Sequence, residues 1–158
     1  MPERLHARWV AEALYRMWAK GVTVVTWFQI RDDMSSFAQS GLYFSGPSGI
    51  ASDRPKLALK AFRFPFVAFR QPGDTVTFWG RSPAGRAAVV VELKKAGPGP
   101  WRLVDTLRPN EYGIFSSRFS STARVGYLRA RVVGGPDVAL PFSLVVPPDR
   151  RVCPWGTC

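Results

Sequence analysis

Val22-Thr23-Val24-Val25-Thr26-Trp27-Phe28-Gln29-Ile30 is β-branched, aromatic and nearly continuous in apolar character, where a half-exposed strand would alternate. A run of this kind is patterned for a strand covered on both faces, as in parallel sheets. Before it, residues 3–20 read as one amphipathic helix, because Leu5, Trp9, Val10, Ala13, Leu14, Met17 and Trp18 recur at steps of three and four. Arg8, Glu12 and Arg16 sit four apart on the other face, and Gly21 supplies the stop. Helix, tight turn and buried strand make half of an α/β unit. Its parallel neighbours are missing from the residues that follow, so the strand either pairs with another chain or, the favoured expectation, belongs to a sheet whose rest lies in sequence preceding Met1.

Asp32 to Ser52 is Ser/Gly-rich around the apolar Gly41-Leu42-Tyr43-Phe44, a length that marks a functional loop or a lid. Ser52 or Asp53 as N-cap, with Pro55 in the first turn, then predicts a short helix through Leu57, Leu59 and Phe62. Beyond Phe64-Pro65 the pattern changes. Short strands are predicted over 65–70, 75–80, 87–94, 101–107, 113–120, 125–133 and 138–146, separated by Gly- and Pro-containing turns such as Gln71-Pro72-Gly73-Asp74 and Gly134-Gly135-Pro136-Asp137. Leu128, Ala130 and Val132 alternate with Tyr127, Arg129 and Arg131, so each strand has one wet and one buried face. Such a series predicts an Ig-like or fibronectin III-like sandwich lacking the core disulfide of antibody domains. The expected organisation is an α/β remnant over 1–62, an all-β sandwich over 63–147 and a tail over 148–158.

The 158 residues are 46% hydrophobic, 13% aromatic and 21% charged, a profile that folds. One His and two Cys cannot assemble a tetrahedral zinc site, so neither a metal nor a cofactor is expected. The 22 basic residues exceed the 11 acidic ones by eleven. Most are Arg, and Arg63, Arg70, Arg81, Arg86, Arg102, Arg118, Arg129 and Arg131 are spread singly, which fits a solvated exterior better than a dedicated anion-binding face. No window is long and apolar enough for a membrane span, and Met1-Pro2-Glu3-Arg4 lacks the apolar stretch of a signal peptide. Cys153 and Cys158 enclose a short loop that a disulfide could close; two free thiols fit the spacing equally well. Trp79, Trp101 and Tyr127 fit either a sandwich core or a sugar-stacking strip.

The phrases RWVAEALYRMWAKGVTVVTWFQIRDD at residues 8–33, SGLYF at 40–44 and PKLALKAFRFPFVAF at 55–69 resemble the end of a TIM-barrel glycoside hydrolase. The similarity is to secreted bacterial cellulase- and xylosidase-like enzymes in which an Ig-like sandwich follows the barrel. It spans nearly the whole chain, through family-typical phrases and not a catalytic signature. The resemblance implies that residues 3–20 are the seventh barrel helix, 22–30 the eighth strand and 54–62 the eighth helix, with the active-site face at strand C-termini. It implies that Trp27 matches the tryptophan under the cleaved sugar, and that Gln29, Arg31 and Asp32 could hydrogen-bond sugar hydroxyls; the residues fit a core aromatic and a satisfied loop rim as well.

Retaining hydrolysis needs two facing carboxylates about 5 to 5.5 Å apart. In the family these end the fourth and seventh strands, both expected before Met1. Glu12 belongs to the polar helix face, Glu92 to mid-strand and Glu111 to a turn, while Asp32 and Asp33, being adjacent, point apart in an extended chain. No catalytic residue is therefore expected here. The resulting expectation is the C-terminal fragment of an extracellular, retaining glycoside hydrolase acting on a polysaccharide or glycoside. Neither specific nucleic acid nor membrane is an expected partner, and the N-terminal segment is expected to self-associate. The alternative is a self-standing basic β-sandwich module that binds carbohydrate or another anionic partner such as nucleic acid.

Overall fold

The computed structural model describes residues 2–33 and 39–145. Helix α1 spans Glu3–Ala19 and ends in the motif its Gly21 foreshadows: Gly21, at φ 82°, donates to the Trp18 carbonyl and Val22 to that of Met17. Its buried face is rotated from the one expected. His6, Ala7, Val10, Ala11 and Glu12 are covered, whereas Ala13 and Trp18 are exposed. The small side chains Ala7 and Ala11 admit close approach, and the Arg8–Glu12 ion pair lets a charged stripe turn inward.

Residues 22–30 correct the buried-strand expectation. The segment forms no ladder, and Val24, Phe28 and Ile30 are exposed, Phe28 completely. A strand meant to be covered on both faces needs neighbours on both edges, and among the described residues none is present. Its backbone is held near its two ends: the Val22 amide donates to the Met17 carbonyl, the Ile30 carbonyl accepts the amides of Leu42 and Tyr43, and Arg31 forms an isolated parallel bridge with Tyr43.

Strand β1, Tyr43–Phe44, pairs antiparallel with β2, Arg54–Pro55, with a 3₁₀ turn over Ile50–Ser52 between them. The second helix, α2, accordingly starts later than expected, at Leu57, and runs to Arg63. Asp53 caps nothing because its carboxylate is committed to Arg31.

The remaining strands are β3 (Phe66–Arg70), β4 (Thr75–Arg81), β5 (Val89–Lys95), β6 (Arg102–Leu107), β7 (Ile114–Ser120), β8 (Gly126–Val132) and β9 (Phe142–Ser143). They make two antiparallel sheets, ordered β3-β4-β7 and β6-β5-β8-β9. The last strand is much shorter than the predicted 138–146: Leu140 and Pro141 interrupt it, and Val138 makes only an isolated bridge to Arg131. The alternation expected in β8 holds, with Leu128, Ala130 and Val132 buried against Leu93, Val91 and Val89. In the three-stranded sheet, register places Phe66, Phe78 and Phe115 on the inner face and Phe69, Thr77, Trp79, Ser116 and Arg118 on the outer. Among the described residues the architecture is thus mostly β-strand, in a two-, a three- and a four-stranded sheet, with two helices.

The core continues from the sheets into the helices. Phe66 and Phe142 belong to the same buried cluster as Ala7, Val10, Ala58 and Ala61. Arg8 stacks on Phe142, 3.9 Å from the ring centroid, and donates to the Ser143 carbonyl at 2.9 Å, fastening α1 to β9.

Candidate functional site

Trp27, Gln29, Arg31 and Asp32 converge on one loop system, the chain from Trp27 through the 3₁₀ turn to Lys56. Trp27 is half-buried; its ring meets Phe62 of α2 edge-on at 5.7 Å, and its indole N–H donates to the Ser40 carbonyl at 3.2 Å. Alternation along the extended segment puts Gln29 on the same side, where its amide oxygen accepts the Ser40 hydroxyl at 2.8 Å. The opposite side, with Val24, Phe28 and Ile30, faces away from α2.

Arg31 and Asp53 form a two-pronged guanidinium–carboxylate pair, both bonds 2.8 Å, and the Gly46 amide adds a third donor at 2.8 Å. Hydrogen bonds from Arg31 and Gly46 hold the Asp53 carboxyl below its ordinary range. Asp32 is more deeply buried. Its Oδ1 receives Lys56 Nζ at 2.6 Å and the Gly41 amide at 3.0 Å; Lys56 also donates to the Gln39 carbonyl and lies over the Phe44 ring. Gly41 allows this approach, because a Cβ there would lie 2.5 Å from the Arg31 carbonyl carbon. His6 of α1 faces the pair, and its pKa is lowered first by burial and then by the Lys56 charge.

Lys56, Asp53, Gly41 and His6 are the members that sequence reading did not select. Gly41 and Lys56 lie inside the quoted phrases and Asp53 is a predicted helix cap, but none is read there as a partner of Arg31 or Asp32, and nothing in the spacing of the four announces a contact.

What the cluster can do chemically is hold the 39–56 loop against the end of the extended segment. Elsewhere Glu92 accepts Arg129 at 2.8 Å and lies 3.8 Å from Arg131, and Arg129 stacks on Trp101. Glu111 lies 3.9 Å from Arg86. Glu12, Asp32, Asp53, Glu92 and Glu111 therefore each sit beside a cation. Among the described residues no three His, Cys, Asp or Glu side chains group as metal ligands, and no helix is long and apolar enough to cross a membrane. Trp79 is buried on the three-stranded sheet, while Trp101 and Tyr127 belong to the other sheet's side, so the three share no strip. Cys153 and Cys158 lie outside the described residues.

No family model, curated protein or solved structure matches this chain.

Proposed function

We propose that this chain is the C-terminal portion of a TIM-barrel glycoside hydrolase: α1, the extended segment and α2 are the last βα elements, and the two sheets form an appended fibronectin III-like sandwich. The observation carrying the reading is the 22–30 segment. It is non-helical, flanked by two helices that pack on each other, belongs to no ladder among the described residues, and exposes Val24, Phe28 and Ile30 on the side away from α2. A barrel strand needs just such a pair of free edges and an apolar face turned to the barrel interior. The strand orders β3-β4-β7 and β6-β5-β8-β9 support the sandwich assignment.

In the parent enzyme the chain closes the barrel wall and presents the loop at 31–53, stapled by its two ion pairs, on the strand's C-terminal side. Trp27, Gln29, Arg31 and Asp32 then shape the rim of a sugar site, with Ser40, Asp53 and Lys56 fixing their positions. The substrate is an extracellular glycoside or polysaccharide, and the two reacting carboxylates come from other strands.

An antibody raised against the sandwich, used on native source material, tests this. A polypeptide of barrel-plus-sandwich size that hydrolyses aryl β-glycosides is expected, while the isolated 158-residue chain shows no turnover. A native polypeptide of only 158 residues, or turnover by the isolated chain that is lost on Glu92→Gln or Glu111→Gln, overturns it.

A further inference from the structure

The outer face of the three-stranded sheet carries a second feature, independent of the barrel reading. Where the C-terminal half of α1 crosses β3 and β4, Tyr15 meets Phe69 and Trp79 at 5.5 Å each, and Trp18 meets Trp79 at 5.2 Å. Beside these rings opens a cleft of about 500 Å³, floored by Thr77, Trp79, Ser116 and Arg118. That size is within the range of small-molecule sites. Trp18 is 42% exposed despite its area, an expensive way to leave an indole in water. Trp79 is buried, and its Nε1–H has no acceptor. No carboxylate lines the cleft, and Arg118 makes no ion pair among the described residues.

We propose that this cleft binds an acidic sugar, a pyranose ring resting against Trp18 with its carboxylate on the Arg118 guanidinium. An indole face offers a flat apolar platform to sugar C–H groups, and the low-profile hydroxyl of Ser116 can hydrogen-bond a ring hydroxyl without blocking access. A guanidinium takes a carboxylate through two parallel bonds, which makes the charge selective as well as attractive. A nucleotide would use the same stacking. It is disfavoured here because its dianionic phosphate would meet one cation only and the partial negative charge at the C-terminal end of α1.

The test is titration of the full chain with trigalacturonate, cellotriose and adenosine monophosphate, followed by the indole N–H resonances of Trp18 and Trp79. Saturable shifts with trigalacturonate are expected. Arg118→Gln should weaken that binding about tenfold, the equivalent of losing a charge-assisted hydrogen bond, and leave the response to cellotriose unchanged. Trp18→Ala should abolish both, with the dispersion of the other amide signals confirming that the variants fold. Absence of any saturable shift up to about 10 mM, tighter binding of the nucleotide, or equal loss for both sugars in Arg118→Gln overturns the proposal.

Discussion

Lys56 and Asp32 are each 4% exposed at the side chain, so neither charge is solvated and each depends on the other. Removing one partner strands the second: Lys56→Met should destabilise the chain by about 3–5 kcal/mol, measured by urea unfolding. The double variant Lys56→Met/Asp32→Leu should recover most of that loss, since no buried charge then remains; equal losses for single and double variants would show that the pair carries little. His6, beside them, titrates in a defined direction. Its folded pKa is lowered from 6.5, so the unfolded chain binds the proton more readily. This contribution is complete above 6.5 and is lost as pH falls through the folded value, a decline in melting temperature that His6→Gln should flatten. Asp53, depressed from 3.8 by Arg31, acts with the same sign in a more acidic window. Of these residues the sequence singled out Asp32, through the glycosidase resemblance, and Asp53, as a helix cap, but neither as a member of an ion pair. Hydrophobic periodicity reports which faces are covered; it is silent on which lysine, tens of residues on, will meet a given aspartate.

At the level of elements, β3 to β8 were legible to within a residue or two because alternation and turn chemistry agree along them. Helix α1 was legible in extent, yet not in the face it buries: Arg8 and Glu12 neutralise each other and can then be covered, which a count of apolar residues scores as a wet side. The 22–30 segment differs for another reason. Its composition states a strand, but a strand is a relation between two chains of backbone, and the partner edges are not among the described residues. The amides of Val24 to Phe28 should therefore exchange rapidly, in contrast to those of β4 and β5. With Val24, Phe28 and Ile30 exposed, the purified chain should self-associate through this edge. Val24→Lys/Phe28→Lys should shift it toward monomer in sedimentation while leaving its melting temperature within about 0.5 kcal/mol of equivalent stability, as surface changes do. A large loss of stability would mean that the segment is already packed.

The whole molecule poses the question of where one folding unit ends. Sequence pattern sets a boundary after residue 62, and the inner faces of the two sheets meet through Phe66, Val76, Phe78, Val89, Val91, Phe115, Leu128 and Ala130, within one buried cluster that also takes in Ala7, Val10, Ala58 and Ala61. The packing crosses that boundary nonetheless. Tyr15 and Trp18 cover Phe69 and Trp79 on the outer face, and Arg8 ties α1 to Phe142 and Ser143. Residues 63–147 alone should therefore fold, because a sheet pair with its own buried inner face meets the requirement for an independent domain. They should do so with lower stability than the full chain and with Trp79 newly exposed, visible as quenching of its fluorescence and as binding of a hydrophobic dye. Restoring α1 as a separate peptide of residues 2–20 should reverse both signals. Cooperative unfolding of the shortened chain at full-length stability would show that the helix merely rests on the sheets. Failure to fold at all would make residues 1–62 an integral part of a single unit, and the barrel-plus-sandwich division would then be the wrong way to cut the molecule.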